Sequence, residues 1–243
     1  CFFVVVFCLV IAFLFILTVV IGLVACQQNN ESAPQEELSG LPDSIRLVES
    51  FEKPDGDSIA IPYNKYELDN GLTVILHEDR SDPLVHVDVT YHVGSGREDV
   101  GKSGFAHFFE HMMFQGTENV EDEQHIKIVS ESGGTMNGTT NTDRTIYYQT
   151  VPDNQLEKML WLESDRMMEL DFSEEKLNIQ KNVVIEEFKP RNLNHPYGDV
   201  WPLLRELAFR VHPSQWQTIC KEISHLADAI LEEVKDFFFR FYA

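Results

Sequence analysis

The spacing of apolar and polar residues predicts both strands and helices along the chain. Residues 85–93 (VHVDVTYHV) alternate at period two, which is typical of a strand with one buried face. Two short apolar runs flank Asp69-Asn70-Gly71, a turn sequence that predicts an antiparallel hairpin. Apolar residues recur at helical spacing from Pro152 to about Leu170, from Ser173 to about Arg191, and from Ile230 to Phe241. The pattern therefore predicts a domain that contains both antiparallel strands and helices.

The first 25 residues contain no charge, and the run is long enough to cross a bilayer as a helix. It ends in Leu23-Val24-Ala25-Cys26, which resembles the lipobox of bacterial lipoproteins, where the cysteine is lipidated and the preceding segment is removed. A retained N-terminal anchor helix is the alternative, because the run lacks an initiator methionine and a basic segment. Both interpretations place residues 1–26 at a membrane. With Cys26 as the lipidation site, we expect a bacterial cell-envelope protein whose folded part faces the periplasm.

The stretch 27–62 is polar and acidic and contains four prolines, a composition that predicts a flexible tether. Residues 63–243 then carry the periodic segments and predict one folded domain, since 43% of the chain is hydrophobic. Cys220 is the only cysteine in that stretch, so no internal disulfide is predicted there. The net charge of -21 argues against a nucleic-acid partner, which requires a basic surface.

The stretch 103–116 (SGFAHFFEHMMFQG) predicts a helix that Ser103 caps and Gly116 ends. Three titratable side chains, His107, Glu110 and His111, share one narrow stripe of this helix. The other positions are apolar, so the helix is expected to be buried, and buried imidazole or carboxylate is costly unless it has a partner. A metal ion satisfies two imidazoles at i and i+4, with the glutamate able to reach a metal-bound water. The alternative is that the stripe is only the wet side of an amphipathic helix.

The H-x-x-E-H order is that of the inverted zinc peptidases, and the chain resembles the pitrilysin/insulinase family, which includes the mitochondrial processing peptidases. The resemblance covers about residues 64–243. It implies an α+β fold with a mixed or antiparallel sheet packed on helices, as in one half of such a peptidase. It also implies one Zn²⁺ held by His107 and His111, with Glu110 as the catalytic base.

Two adjacent glutamates in the predicted helix 173–191 compete for the role of third metal ligand. On a helical wheel, Glu187 lies roughly 70° from the centre of the apolar face and Glu186 roughly 170° from it. The resemblance also assigns the ligand to Glu187, 76 residues after His111 (187 minus 111). Where the family usually has a further glutamate, two turns earlier, this chain has Gln180.

Residues 135–140 and 145–150 predict two strands joined by a polar turn. The first of them resembles the family's G-x-x-N-x-x-T segment, an edge strand that holds the substrate by main-chain pairing. The resemblance makes Asn137 a substrate contact, and an ordinary turn residue is the alternative. His77, His86 and His92 lie on predicted strands and are expected to pack or face water instead of binding metal.

The sequence thus predicts a zinc-dependent endopeptidase domain that acts on peptides or small unfolded proteins. The family's second half is not in this sequence, so we expect a C-terminally incomplete fragment that is weakly active or inactive alone. A longer chain or a partner subunit would supply that half. The alternatives are a non-catalytic, membrane-tethered scaffold subunit of a two-part peptidase and a carrier that only captures peptides.

Overall fold

The structure is a computed structural model that describes residues 41–54, 56, 59–190, 194, 196–215 and 219–243. The predicted membrane segment 1–26, including the lipidation site Cys26, lies outside the described residues. The described residues divide into two compact units, one that ends at Ser81 and one from Asp82 to Ala243.

The first unit contains a three-stranded antiparallel sheet in the order β1-β2-β3. Its strands are β1 (Ile45–Phe51), β2 (Tyr63–Leu68) and β3 (Thr73–Leu76). The predicted hairpin at Asp69-Asn70-Gly71 is confirmed, because β2 and β3 pair across it. Gly71 has a φ of 87°, which explains the need for glycine at this turn.

The tether prediction is wrong for residues 45–51, which form β1. The strand pairs with β2 from Ile45 opposite Leu68 to Phe51 opposite Tyr63, where the two rings stack with centroids 5.8 Å apart. Composition did not reveal this strand because most of its side chains are exposed. Its order comes from backbone pairing with β2, which does not depend on a hydrophobic face.

The second unit contains the antiparallel sheet β4-β6-β5, with β4 (Leu84–Tyr91), β5 (Thr135–Thr140) and β6 (Thr145–Pro152). Central β6 is buried at every second position, and these side chains all lie on one face of the sheet. The helices cover that face. Strand β5 pairs only with β6 among the described strands, so it forms an edge of this sheet.

Seven α-helices lie within the described part of the second unit. They are α1 (Phe105–Met112), α2 (Gln124–Glu131), α3 (Leu156–Met168), α4 (Glu174–Phe188), α5 (Val200–Ala208), α6 (Ile223–Ala227) and α7 (Leu231–Phe241). None of the helices in the described ranges is both long and apolar enough to cross a membrane.

Helix α1 lies at the centre of the main hydrophobic core. Its apolar side chains, including Phe105, Phe108 and Phe109, are almost fully buried against β-strand residues and against helices α4 and α7. The ring of Phe109 stacks on Phe237 of α7 with centroids 5.4 Å apart. Burying one such side chain contributes about 1.5–3 kcal/mol. The predicted α+β fold class, with an antiparallel sheet packed on helices, is confirmed.

Candidate metal centre

Helix α1 begins and ends differently from the sequence-based expectation. It starts at Phe105, and its N-cap residue is Gly104, which has a φ of 99° and no side chain of its own to cap the helix. The predicted cap, Ser103, instead accepts a hydrogen bond from the Lys221 backbone N–H (2.7 Å), and its hydroxyl lies 2.8 Å from Nδ1 of His225. The helix ends at Met112, and Gly116 lies beyond it. Tertiary contacts with residues 221 and 225 thus take Ser103 away from the helix terminus.

A residue that the sequence-based prediction missed caps this helix. The Glu98 carboxylate accepts hydrogen bonds from the backbone N–H groups of Gly104 and Ala106, both at 2.9 Å. Glu98 is only 4% exposed, and burial raises the pKa of its carboxyl well above the ordinary value while the two N–H groups oppose that shift. Glu98 lies six residues before Gly104, a separation that fits no local capping motif, so the sequence held no clear signal for this cap.

The structure brings together the three residues that were predicted to hold the metal. Nε2 of His107 lies 3.7 Å from Oε2 of Glu187, and Nε2 of His111 lies 3.4 Å from the same oxygen. One nitrogen of each histidine and one Glu187 oxygen all lie within 4.8 Å of one another. His107 is buried, while the other two are partly exposed. In the described part of the chain this is the one group of three or more such residues placed to hold a metal ion.

The geometry separates the two competing glutamates of α4. The Glu187 side chain is 25% exposed and faces α1, whereas Glu186 is 69% exposed and pairs with Nζ of Lys189 at 2.6 Å. Helix α4 is held in place by Leu177 and Val184, which belong to the same core as α1. Gln180 is buried on this helix two turns before Glu187.

Lysine side chains also fix the position of helix α4. Nζ of Lys176 donates to the backbone oxygen of Gln115, just beyond the end of α1, at 2.6 Å. Nζ of Lys181 donates to the backbone oxygens of Ala227 and Ala229, at the end of α6. The first turn and the middle of α4 are therefore tied to neighbouring elements.

The edge strand β5 runs directly beside Glu110. A Cβ placed on Gly138 would lie 3.1 Å from Cγ of Glu110 and 3.4 Å from the Tyr147 ring, so backbone and carboxylate stem are in close contact. Asn137 precedes Gly138 within this strand, is exposed, and accepts a hydrogen bond from the Gly138 N–H at 2.9 Å. The structure therefore places Asn137 in an edge strand near Glu110 instead of in a turn.

Behind β6 lies a buried polar network that the sequence-based prediction also missed. Arg166 and Glu163 of α3 form an ion pair at 2.6 Å, and Gln149 of β6 donates to the same carboxylate at 2.9 Å. The Arg166 guanidinium lies 4.3 Å from the centre of the Tyr147 ring, whose hydroxyl donates to the backbone oxygen of Phe109 in α1. The network thus connects α3 with the strand and helix that border the candidate centre.

Burial changes the pKa of several groups around this network. It raises the pKa of Glu163, an effect that the charge of Arg166 opposes. It lowers the pKa of His125, which lies 3.4 Å from Gln149, to about 4, and the charge of Arg166 adds to that effect. Burial also raises the pKa of Cys220, next to the N-terminus of α1, to about 12, with a smaller effect from the charge of Glu98.

Three further histidines lie on or directly after strands, and the sequence predicted that they would pack or face water. His86 lies on β4 with Nδ1 2.9 Å from Oγ1 of Thr150, and His92 contacts the guanidinium of Arg97. In the first unit, Nδ1 of His77 lies 2.7 Å from the backbone oxygen of Pro62. None of these described histidines belongs to the candidate metal group.

Comparisons with known proteins show which proteins the chain is similar to. The family model described as Insulinase (Peptidase family M16) matches residues 73–222. The chain is 31% identical over 200 residues to zinc protease PqqE of Helicobacter pylori, covering 82% of this chain and 45% of that protein. It is 26% identical over 178 residues to the mitochondrial-processing peptidase subunit beta of Saccharomyces cerevisiae, covering 72% of this chain and 38% of that protein.

Two solved structures show the same fold. A protease from Helicobacter pylori superposes with a TM-score of 0.71 at 32% identity, over 74% of this chain and 43% of that one. Pitrilysin superposes with a TM-score of 0.69 at 22% identity, over 82% of this chain and 22% of that one. The chain thus spans less than half the length of each of these relatives.

Proposed function

Because the chain belongs to the insulinase family of peptidases, peptidase family M16, we propose that it is the zinc-dependent catalytic domain of an endopeptidase. One observation carries the proposal. Three ligand atoms of the types that zinc prefers lie within 4.8 Å of one another, although Glu187 is 76 residues from His111 (187 minus 111).

The donor set fits zinc in an open catalytic site. His107 and His111 offer imidazole nitrogens and Glu187 a carboxylate oxygen, which leaves one of four tetrahedral positions for water or substrate. When bound there, zinc supplies Lewis-acid activation of water and of the scissile carbonyl. If the polar stripe were only the solvent-facing side of an amphipathic helix, His107 would be exposed. His107 is instead buried, and a buried imidazole needs a partner.

Glu110 is proposed as the general base. It lies on α1 between the two histidines, and its carboxylate takes a proton from the water that attacks the peptide carbonyl. The same carboxyl then gives that proton to the leaving amine nitrogen as the C–N bond breaks, which restores the ionised base. Contact with Gly138 holds the stem of Glu110 beside β5.

Strand β5 is proposed to hold the substrate. An extended peptide that pairs with this edge satisfies its own backbone groups and lies next to Glu110. Asn137 is exposed on β5, and we propose that its side chain contacts the peptide. The substrate class is therefore extended or unfolded polypeptide.

A second half of the peptidase completes the proposed enzyme. The oxyanion formed at the carbonyl needs further hydrogen-bond donors, and the relatives are more than twice as long as the matched region. We propose that these donors come from a longer chain or a partner subunit. The 243 residues alone are then expected to bind zinc but to cleave peptides weakly or not at all.

Zinc content and peptide cleavage test the proposal in wild type and Glu110→Gln, each assayed together with the second half of the peptidase. Loss of the base should lower cleavage by about 10²–10⁴-fold while one zinc per chain is retained. Glu131→Gln, on an exposed part of α2, is the matched control and should change neither quantity. A Glu110→Gln protein with full zinc and full activity would remove Glu110 from the mechanism. Tight peptide binding that a chelator does not change would favour the non-catalytic carrier or scaffold instead.

Membrane attachment at the bacterial cell envelope is a separate proposal that rests on the uncharged run 1–25 and Cys26. Lipidation predicts that a radiolabelled fatty acid is incorporated into the wild type and not into Cys26→Ala. An unlabelled wild-type protein that still sediments with membranes would instead support the retained anchor helix.

A further inference from the structure

The N-terminus of α1 is clamped between two loops. On one side, Glu98 directly follows the 3₁₀ turn Ser95–Arg97, and its buried carboxyl group accepts hydrogen bonds from the N–H groups of Gly104 and Ala106. On the other side, a Cβ on Gly104 would lie 2.4 Å from the backbone oxygen of Ile219, so only glycine allows that loop to approach so closely. The Lys221 N–H closes the clamp by donating to Ser103.

The hydrogen bonds that Glu98 accepts from two backbone N–H groups determine where α1 starts. The first four N–H groups of a helix have no intrahelical partner, and a buried helix terminus needs acceptors for them. Glu98 supplies acceptor oxygens to two of these N–H groups, those of Gly104 and Ala106, in the turn that leads into His107. If the register of α1 slipped by one residue relative to its surroundings, His107 and His111 would rotate by about 100° about the helix axis, away from Glu187.

We propose that Glu98 is a positioning residue for the metal centre: by capping α1 it fixes the axial start and rotation at which His107 and His111 face Glu187. This inference rests on the proposed zinc site and deepens it. Glu98 acts through the helix backbone and does not bind the metal. Groups that hydrogen-bond directly to metal ligands typically change metal affinity by 10–100-fold, and we take the same range as the effect expected of a cap that orients two ligands at once.

The test compares metal-free wild type, Glu98→Ala and Glu98→Gln. Gln124→Ala is the matched control, because Gln124 also accepts a backbone N–H at a helix start, that of Glu121 before α2, and α2 carries none of the three metal ligands. Zn²⁺ affinity is measured by competition with a chromogenic chelator, and Co²⁺ absorption reports ligand geometry. Hydrogen exchange of residues 103–109 in the metal-free proteins reports the cap itself.

Glu98→Ala should weaken Zn²⁺ binding by about 10–100-fold and change the Co²⁺ spectrum, with faster exchange at Gly104 and Ala106. Glu98→Gln keeps one acceptor oxygen, so its values should fall between those of Glu98→Ala and wild type in all three measurements. If Glu98→Ala does not fold, Glu98→Gln still tests the inference. Gln124→Ala should match wild type in affinity and spectrum. If Glu98→Gln shows faster hydrogen exchange but keeps the Zn²⁺ affinity and the Co²⁺ spectrum of wild type, the inference is overturned and the proposed function is unaffected. Wild-type protein that binds neither ion would instead overturn the proposed zinc site.

Discussion

Replacing Arg166 with methionine should strongly destabilise the second unit. The side chains of Arg166 and Glu163 are only 2% and 5% exposed, and their ion pair is the shortest link in the network behind β6. Methionine keeps the length and volume of the apolar stem but removes the charge. The Glu163 carboxylate would then remain buried, with a hydrogen bond from the Gln149 amide but no positive charge beside it.

The expected loss follows from leaving one charge of a buried pair without its partner, which costs about 3–5 kcal/mol. The guanidinium also lies over the rings of Tyr147 (4.3 Å) and Phe114 (5.3 Å), and each such contact contributes about 0.5–2 kcal/mol. Methionine recovers part of that through sulfur contacts with the rings. The net prediction is a loss of about 3–5 kcal/mol, which lowers Tm by roughly 6–20 °C for a chain of this size.

The loss should depend on pH. Burial already raises the pKa of Glu163 in the folded protein, and the charge and hydrogen bonds of Arg166 oppose that shift. Without Arg166 the folded-state pKa rises further above the unfolded value. Between these two values the folded state holds a proton that the unfolded state releases, so lowering the pH favours folding. The difference between Arg166→Met and wild type should therefore narrow as the pH falls from 8 towards 5.

Urea unfolding at several pH values measures both effects. Arg240→Met is the matched control, because Arg240 also forms an ion pair, with Asp99 at 3.2 Å, and lies over the Phe241 ring at 4.7 Å. The side chains of that pair are 50% and 59% exposed, so its loss should be below about 1 kcal/mol. Equal losses in the two variants, or a difference for Arg166→Met that does not change with pH, would refute the reasoning.

Three further predictions concern single groups. Glu187→Gln should lose most zinc affinity while the adjacent Glu186→Gln keeps it in equilibrium dialysis, and equal losses would contradict the assignment of the third ligand. Burial raises the pKa of Cys220 to about 12, so peptide mapping after iodoacetamide treatment at pH 8 should find it alkylated only in urea. His125 has its pKa lowered to about 4, so NMR should show it neutral at pH 6, where an ordinary histidine is largely protonated. Because the unfolded chain binds that proton first, the contribution of His125 to stability is lost as the pH falls from about 6.5 to 4.

Local patterns in the sequence predicted much of the second unit and the candidate centre. Period-two alternation predicted β4, and helical spacing predicted α3, α4 and α7, because burial on one face imposes those periods on the side chains. The spacing of His107 and His111 alone places them on one helical face, and the wheel position of Glu187 distinguishes it from Glu186. These features depend only on backbone geometry within a single element.

The tertiary structure decided what depends on contacts between distant segments. The sequence predicted Ser103 as the cap of α1, but Lys221 and His225 engage Ser103, and the buried Glu98 caps the helix. Strand β1 was missed because its order comes from pairing with β2 and not from its own composition. The convergence of Glu187 with the two histidines, and the charges of Arg166 and Glu163 buried behind β6, arise from packing between elements. Periodicity reports which side of an element is buried, whereas only the assembled fold determines which groups meet there.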